Sequence, residues 1–283
     1  MMGAARRIAE FLAERDQVMV ITGAGCSTGS GIDDYRDREG RWKRVQPIQH
    51  QDFMASIDAR RRYWARSMLG WPVIAAAKPN AAHRALADLE RLGRVQRLVT
   101  QNVDGLHQQA GSKVVIDLHG RLDRVRCMSC ARLSSRRLLQ TRLIALNPSI
   151  AERQFRSAPD GDADVELPEL HAIHVPDCER CGGVLKPDVV FYGDSVPKSV
   201  VAEAYSATEA ADALLIVGSS LMVFSSFRFC RRAHDLRRPM AAVNLGKTRA
   251  DEWFTAKVEA DCTEVLPAVV RHLEDSCQRQ TVK

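Results

Sequence analysis

Residues 18–27, with the sequence VMVITGAGCS, join a short apolar run to a glycine-rich loop. The run from Val18 to Ile21 has the length and composition of a buried strand. The segment Gly23-Ala24-Gly25 ends the run, and glycines let backbone N–H groups approach a pyrophosphate closely. This stretch therefore predicts a strand followed by a loop that is a candidate for binding a nucleotide.

Apolar strands alternate with helical segments along much of the chain. Further strands are predicted at 95–99, 114–118, 213–217 and 240–243. Helices are predicted near 80–92, 198–210, 223–236 and 264–275. This alternation predicts an α/β fold with a doubly wound, Rossmann-like parallel sheet.

Polar or glycine-rich segments follow nearly every predicted strand. They lie at 22–27, 100–104, 119–120, 218–220 and 244–246. Open parallel sheets bind their ligands at the carboxyl ends of the strands. We therefore expect these segments to converge on one crevice.

Length and composition exclude several classes of protein. The chain has 283 residues, which favours one main domain carrying a smaller module. Hydrophobic residues make up 45% and charged residues 27%, so disorder and coiled coil are poor interpretations. Apolar runs such as 213–217 are far shorter than the ~18 residues that a membrane span needs. The first residues lack an apolar signal core, so we expect no membrane association and a cytoplasmic location with reduced cysteines.

The net charge is +6, largely because arginine is abundant. Such a charge can attract nucleic acid or an anionic cofactor. The basic residues form short clusters, such as Arg60-Arg61-Arg62 and Arg237-Arg238, rather than one long tail. We therefore expect a solvated basic surface and no specific binding of nucleic acid.

Two Cys-x-x-Cys pairs, Cys127 with Cys130 and Cys178 with Cys181, flank the long segment 131–177. Four thiolates in two such pairs are the ligand set of a tetrahedral structural zinc site. The alternative is a redox pair or a coincidence of spacing. We predict one structural Zn²⁺ per chain, in a small module at 123–190 inserted between the two parts of a main domain, 1–122 and 191–283.

The glycine loop differs from that of a dehydrogenase. The dehydrogenase fingerprint has a third glycine, which would fall at position 28, and an acidic residue about 20 residues farther on. This chain has Thr28 at the first position, with Trp42 and Lys43 at the second. The loop therefore predicts nucleotide binding without hydride transfer.

Two polar groups stand where the crevice is expected. Gln101-Asn102-x-Asp104 follows one strand, and His119 ends the next. Asn and Asp are common in capped turns, and a buried histidine is often structural. Their position at strand ends nevertheless makes them candidates for catalysis, because histidine can take a proton near neutral pH.

Six segments occur together in one order along the chain: Gly23-Ala24-Gly25-x-Ser27, Gly31-Ile32-x-Asp34-Tyr35-Arg36, Thr100-Gln101-Asn102-x-Asp104-x-Leu106-His107, Leu118-His119-Gly120, Lys186-Pro187-x-Val189-Val190-Phe191-Tyr192-Gly193 and Gly218-Ser219-Ser220-Leu221. In these segments the chain resembles the sirtuins, and the resemblance spans about residues 4 to 275. Arg62-Tyr63-Trp64-Ala65-Arg66, Gly70-Trp71-Pro72 and the long segment between the cysteine pairs resemble the class II branch most closely. The family usually has a proline in place of Asp33 and an aliphatic residue in place of Cys26. Neither departure removes a residue with an assigned chemical role.

The resemblance implies an NAD-dependent protein-lysine deacylase that consumes NAD⁺ as a co-substrate. In such an enzyme the acyl oxygen of a modified lysine attacks the ribose carbon next to nicotinamide. His119 would act as general base on a ribose hydroxyl. The products would be free lysine, nicotinamide and O-acyl-ADP-ribose, and the partners would be proteins that carry acylated lysines.

The resemblance also implies which residues contact NAD. The nicotinamide side would be held by Gln101, Asn102, Val103 and Asp104, the phosphates by Gly23, Ala24, Gly25 and Ser27, the cofactor loop by Asp34, Tyr35 and Arg36, and the adenosine half by Gly218, Ser219, Ser220, Asn244, Leu245, Gly246 and Cys262. Val189, Val190, Phe191 and Tyr192 would form an edge that pairs with the substrate backbone.

Tyr63 and Arg66 lie three residues apart in a predicted helix, so both side chains can project from one face. The same spacing occurs in sirtuins that prefer acidic acyl groups, where the pair meets the terminal carboxylate. The alternative is that Arg66 lies on the solvated face of the helix.

Three other functions remain open at this level. A Rossmann oxidoreductase would leave the four cysteines and His119 without a role. A zinc-ribbon nucleic-acid module would leave the residues at the strand ends without one. A protein mono-ADP-ribosyltransferase uses the same co-substrate and is the closest alternative. The sequence does not indicate the oligomeric state.

Overall fold

Six short strands form the main sheet, and all of its strand pairs are parallel. The computed structural model describes residues 2–43, 47–167 and 169–281. The strands of the main sheet are β1 (Val18–Thr22), β2 (Val95–Thr100), β3 (Val115–Asp117), β9 (Ala213–Val217), β10 (Met240–Val243) and β11 (Ala256–Val258). The remaining strands are β4 (Gly120–Cys127), β5 (Leu133–Ser135), β6 (Arg156–Ala158), β7 (Asp162–Asp164) and β8 (Leu185–Val189).

The order of the main sheet is β3-β2-β1-β9-β10-β11. The chain builds outward from β1 in one direction and then from β9 in the other, so the strand order reverses between these two strands. This is the doubly wound topology predicted above, with its ligand crevice expected at the carboxyl ends of β1 and β9. The three-residue strand β11 was not predicted.

Helices cover both faces of the main sheet. The helices are α1 (Met2–Ala13), α2 (His50–Ala55), α3 (Ile57–Ala76), α4 (Ala81–Arg91), α5 (Leu106–Gln109), α6 (Arg136–Leu146), α7 (Pro148–Ala151), α8 (Lys198–Ala210), α9 (Phe224–Asp235) and α10 (Cys262–Thr281). One face packs against α1, α4 and α10 through residues such as Leu12, Leu86 and Leu266. The other packs against α8 and α9 through residues such as Ala204 and Phe229. None of the helices within the described ranges is long and apolar enough to cross a membrane.

A second, three-stranded antiparallel sheet has the order β5-β4-β8 and carries the four cysteines at its ends and turns. Its core includes Val125 and Leu139, and also Phe53 and Trp64 from α2 and α3. The division of the chain at 123 and 190 remains a prediction, and the packing adds α2 and α3 to the core of the smaller unit. Helix α6 was not predicted, because this part of the sequence shows little periodicity.

A buried arginine joins α3 to α6. Arg136 is fully buried, and its guanidinium lies 5.4 Å from the ring centre of Trp64 and 5.1 Å from that of Trp71. It donates to the carbonyl oxygen of Ser67 at 3.1 Å. Burial lowers the pKa of Arg136 to about 10, which leaves it charged at neutral pH. The indole faces stabilise this charge and hold α3 against the smaller sheet.

Candidate active site

The loops after β1 and β9 approach each other so closely that only glycine fits at the contact. The Gly25 N–H donates to the carbonyl of Gly218 at 2.9 Å. A Cβ on Gly23 would lie 2.8 Å from the Cβ of Ser219, and one on Gly218 would lie 2.3 Å from the Cys26 nitrogen. Gly218 also has a φ of +58°. The two glycine segments therefore form one rigid floor where the strand order reverses.

A cavity of about 1840 Å³ opens above this floor, between the main sheet and the smaller one. Drug-sized ligands occupy pockets of ~300–1,000 Å³, so this cavity has room for a dinucleotide and a segment of substrate together. Its lining includes the predicted residues Gly23, Ala24, Gly25, Asp34, Tyr35, Arg36, Tyr63, Arg66, Gln101, Asn102, Val103, His119, Val189, Val190, Phe191, Tyr192, Gly218, Ser219, Ser220, Asn244, Leu245 and Cys262.

Three predicted cofactor residues lie outside this lining: Ser27, Asp104 and Gly246. Ser27 donates to the Asp104 carboxylate at 2.7 Å and accepts from the Asn102 amide at 3.0 Å. Asn102 also donates to the carbonyl of Gly23 at 3.1 Å. Ser27 and Asp104 thus support the loop and Asn102 from below. Gly246 packs on the backbone of the 33–43 segment, where a Cβ would lie 2.3 Å from the carbonyl oxygen of Arg38.

The Gln101 side chain is held at both ends. Its Nε2 donates to Ser219 Oγ at 2.6 Å, and its Oε1 accepts from Ser226 Oγ at 3.0 Å. Ser226 is fully buried in the first turn of α9. It was not predicted as part of the site, because a serine near a helix start is common in any helix. The fixed amide leaves Gln101 with one orientation at the edge of the cavity.

His119 lies at the boundary between the two sheets, with a defined tautomer. Its Nδ1 lies 3.1 Å from the carbonyl oxygen of Gln101, and its Nε2 lies 2.7 Å from Ser225 Oγ. A carbonyl only accepts, so in the neutral ring Nδ1 carries the proton and Nε2 presents a lone pair. Burial lowers the pKa of His119 to about 4, the Gln101 carbonyl opposes this, and the charge of Arg228 lowers it further. The ring is therefore a neutral proton acceptor at physiological pH.

A second buried group, Cys26, His83 and His107, lies beneath the glycine loop with its ligand atoms within 4.8 Å of one another. Burial lowers the pKa of His83 to about 4, so its ring is neutral. The Asn80 backbone N–H donates to His83 Nδ1 at 3.3 Å, which completes the capping box of α4. The ring proton is then on Nε2, where a metal ion would need a lone pair. These residues therefore serve as packing under the loop rather than as metal ligands.

The four predicted zinc ligands come together at one end of the smaller sheet. Their sulfur atoms lie within 4.8 Å of one another. Cys127 Sγ is 3.5 Å from Cys181 Sγ, and Cys130 Sγ is 3.9 Å from Cys178 Sγ. Zn–S bonds of about 2.3 Å in a tetrahedron put sulfurs about 3.8 Å apart. The donor set therefore fits Zn²⁺, with no position left for a reactive water.

Aromatic rings form the part of the cavity next to the smaller sheet. The ring centre of Phe191 lies 5.3 Å from that of Phe53 and 5.1 Å from that of Tyr63. In the same segment, the Val190 N–H donates to the carbonyl of His119 at 2.9 Å, and the carbonyl of Tyr192 accepts from the His50 N–H at 2.8 Å. The edge at 189–192 thus already uses part of its backbone for hydrogen bonds within the protein.

Arg66 lines the cavity, but its guanidinium is already paired. Its Nε and Nη2 donate to the two carboxylate oxygens of Asp162 at 2.9 and 2.7 Å. Asp162 begins β7, within the long segment between the cysteine pairs, and lines the same cavity. Arg66 therefore borders the cavity, and its guanidinium holds a carboxylate of the protein itself.

The segment at 33–43 lies along one edge of the cavity. Arg36 donates to the carbonyl of Gly40 at 2.7 Å and lies 4.0 Å from the ring centre of Trp42. Asp34 pairs with Lys43. Arg36 is thus held by a carbonyl and an indole and has no carboxylate partner among the residues described, which suits a guanidinium that faces an anionic cofactor.

Comparison with known proteins places the chain in a family. The model of the Sir2 family matches residues 23–225. An NAD-dependent protein deacetylase from Bordetella bronchiseptica is 55% identical over 260 residues, which cover 92% of this chain and 95% of that protein. A Sir2 homologue solved with NAD has a TM-score of 0.73 at 28% identity, covering 96% of this chain and 94% of that one. A Sir2 protein solved with a deacetylated peptide and 3′-O-acetyl-ADP-ribose has a TM-score of 0.75 at 28% identity, covering 94% of this chain and 97% of that one. The chain therefore belongs to the Sir2 family, the sirtuins.

Proposed function

We propose that this chain is an NAD-dependent protein-lysine deacylase that releases nicotinamide and O-acyl-ADP-ribose. The Bordetella relative is named a deacetylase, and one of the solved Sir2 proteins holds a deacetylated peptide together with an acetylated ADP-ribose. The observation that carries the proposal is that one cavity is bordered by the basic nitrogen of His119, the paired glycine loops and the 189–192 edge.

NAD, when bound, supplies an electrophilic ribose carbon whose leaving group is nicotinamide. The residues present fit this molecule, because Gly23, Gly25 and Gly218 keep the floor clear of side chains where the strand order reverses. We assign the phosphates to Gly23, Ala24 and Gly25, with Ser27 supporting the loop, and the cofactor loop to Asp34, Tyr35 and Arg36. We assign the nicotinamide side to Gln101, Asn102 and Val103, which Asp104 supports. We assign the adenosine half to a set of residues in front of Gly246: Gly218, Ser219, Ser220, Asn244, Leu245 and Cys262.

His119 is the general base in this proposal. Its Nε2 can accept the proton of a ribose hydroxyl, because Nδ1 is committed to the carbonyl of Gln101. The same carbonyl holds the imidazole ring in place and stabilises the charge that forms on it. The Val190 N–H donates to the carbonyl of His119, which ties the base to the substrate edge.

Tyr63 and Phe191 line the cavity, with the buried Phe53 packed against both rings, and this aromatic wall suits the hydrocarbon part of an acylated lysine. The remaining backbone groups of 189–192 would pair with the extended substrate beside that lysine. Zn²⁺ at Cys127, Cys130, Cys178 and Cys181 would stabilise the smaller sheet that carries this edge, because four thiolates close the tetrahedron.

Deacylation is favoured over mono-ADP-ribosyl transfer by the relatives, which are named for deacetylation. The closeness to class II sirtuins, a cytoplasmic location and the lack of specific nucleic-acid binding remain predictions from the sequence.

The test is mass spectrometry of the protein incubated with NAD and a panel of acylated peptides. Nicotinamide together with O-acyl-ADP-ribose is the expected result. NADH would indicate an oxidoreductase, and a mass gain on the protein component would indicate ADP-ribosyl transfer. Either of these without deacylated peptide would overturn the proposal.

A further inference from the structure

Helix α9 carries two arginines that share one aromatic ring. The guanidinium carbons of Arg228 and Arg231 lie 5.2 and 5.3 Å from the ring centre of Phe224. Arg228 is half-buried and lines the cavity that contains His119, whereas Arg231 is exposed and lies outside the lining. The two side chains have the same chemistry and the same aromatic neighbour, and they differ in access to the cavity.

Arg228 faces the cavity without a counter-charge. Its Nε is fully buried and has no hydrogen-bond partner, and among residues 2–43, 47–167 and 169–281 no carboxylate pairs with its guanidinium. A buried N–H donor without an acceptor is destabilising, and native structures satisfy nearly all of them. Nε lies out of reach of a ligand, but the half-buried side chain lines the cavity and brings its unpaired positive charge within reach of an anionic group from outside the chain.

Several acidic residues of the same cavity already hold cations. Asp34 pairs with Lys43, Asp162 with Arg66, and Asp194 with Lys186. The sequence predicted Arg66 as the residue that recognises an acidic acyl group. Its guanidinium already donates two hydrogen bonds to the carboxylate of Asp162. Arg228, like Arg36, lines the cavity and has no carboxylate partner within the described ranges, but Arg228 is the one that lies beside His119.

The charge of Arg228 also reaches the catalytic centre. It is one of the causes that lower the pKa of His119. Ser225, one turn before Arg228 on α9, contacts His119 directly. A ligand bound at Arg228 would therefore lie close to His119 and to the reacting part of the substrate.

We propose that Arg228 is a subsite for a carboxylate carried by the protein substrate. The carboxylate can come from an acidic side chain next to the modified lysine or from the end of a dicarboxylic acyl group, and both present the same two oxygens to a guanidinium fork. This inference rests on the proposed deacylase function and adds the substrate class that the site selects.

The experiment compares wild type, Arg228→Met and Arg231→Met on three acyl-lysine peptides that differ only in the carboxylate. The first is an acetyl-lysine peptide flanked by Gln, the second has Glu in place of that Gln, and the third is the Gln peptide with succinyl-lysine. We expect wild type and Arg231→Met to favour the second or the third over the first by about tenfold or more in kcat/KM. In Arg228→Met that ratio should fall to about 1.

The pattern identifies the source of the carboxylate. A preference for the Glu peptide assigns a flanking side chain, and a preference for the succinyl peptide assigns the acyl group. Equal ratios in wild type and Arg228→Met would overturn the proposal. So would a loss in Arg228→Met that appears only as a raised KM for NAD, because the anion would then be a phosphate of the co-substrate.

Peptide binding measured by fluorescence anisotropy separates this inference from the proposed function. We expect weaker binding of the favoured peptide to Arg228→Met, with wild-type affinity in Arg231→Met. If no peptide is deacylated but this difference in binding persists, the deacylase assignment is wrong and the carboxylate subsite stands. If turnover occurs and binding does not respond to Arg228, the subsite is wrong.

Discussion

The hydroxyl of Ser225 lies 2.7 Å from Nε2 of His119, the nitrogen that would act as the base. Nδ1 is committed to the Gln101 carbonyl, so the neutral ring accepts a hydrogen bond from the serine. In the proposed reaction, a ribose hydroxyl that approaches Nε2 would displace the hydroxyl of Ser225. The serine therefore competes with the substrate for the catalytic lone pair.

Replacing Ser225 with Ala is expected to raise kcat/KM by about two- to tenfold, because a neutral hydrogen bond of ~0.5–1.5 kcal/mol no longer has to be broken. The pKa of His119 should also rise, since the hydroxyl stabilises the neutral ring. Nicotinamide release and an NMR titration of the imidazole measure the two effects. Ser225→Thr keeps the hydroxyl and is the matched control. A fall in kcat in Ser225→Ala would instead mean that the serine relays the proton.

Replacing His119 with Ala should reduce deacylation by about 10²–10⁴-fold while NAD binding is retained, because a missing general base costs that much. The protein should fold, since His119 lines the cavity rather than the core of either sheet. Single-turnover nicotinamide release measures the loss of activity, and calorimetry measures whether NAD binding is retained. Normal turnover per folded molecule in a variant with a lowered melting temperature would show that the histidine is structural.

Replacing any one of Cys127, Cys130, Cys178 and Cys181 with Ser should release zinc and unfold the smaller sheet, because the ion joins two distant segments of the chain. Metal analysis and circular dichroism measure the loss. Cys277→Ser is the control, since this exposed cysteine belongs to neither cluster of candidate ligands among the described residues. Freshly purified protein without zinc would contradict the assignment.

The sequence predicted the sheet best where each strand is a short apolar run ended by glycine or a polar residue. Strands β9 and β10 were predicted with the bounds observed. Both faces of Ala213–Val217 and Met240–Val243 are buried, so each strand is an uninterrupted apolar run in the sequence. Strand β11 has three residues with a half-buried Lys257 and gives no such signal. The sequence of helix α6 gives no clear hydrophobic pattern, because one of the residues that it buries is charged. This residue, Arg136, lies between two indole rings.

Site residues could be predicted from the sequence where the chemistry requires one residue type. They were harder to predict where packing decides which side chains face the cavity. Glycines at a strand end and four spaced cysteines each indicate one kind of site, because few other residue types could do the same chemistry there. The roles of Ser225 and Arg228 depend on which face of α9 meets the cavity, and periodicity does not reveal that. The partner of Arg66 was also hidden, because Asp162 lies 96 positions away in a segment without periodicity.

The stability of the ligand-free protein should fall as the pH falls from about 6.5 towards 4. Burial lowers the pKa of His83 and of His119 to about 4. In the unfolded chain histidine titrates near 6.5, so between these values the unfolded state binds protons that the folded state does not. Urea denaturation at pH 7, 6 and 5, with excess zinc, measures the slope.

The matched control for this pH dependence is His119→Gln, which removes the His119 ring and leaves that of His83. Its stability should decline less steeply with acid than that of wild type, by about 1–2 kcal/mol between pH 6.5 and 5. Parallel pH profiles for the two proteins would show that the His119 ring does not contribute.

The last prediction concerns the acyl group that Tyr63 and Arg66 would meet. Because Asp162 already fills the Arg66 fork, an acidic acyl group must displace that carboxylate before it can bind there. Asp162→Asn weakens the internal pair and leaves Arg66 charged. We expect it to raise the kcat/KM ratio of succinyl-lysine to acetyl-lysine peptides by about tenfold. Arg66→Met in the Asp162→Asn background should remove this gain, which links it to the guanidinium. Tyr63→Phe should reduce it if the hydroxyl assists in holding the carboxylate. Succinyl and acetyl turnover that change together in Asp162→Asn would mean that the Arg66–Asp162 pair supports β7 rather than selecting the acyl group.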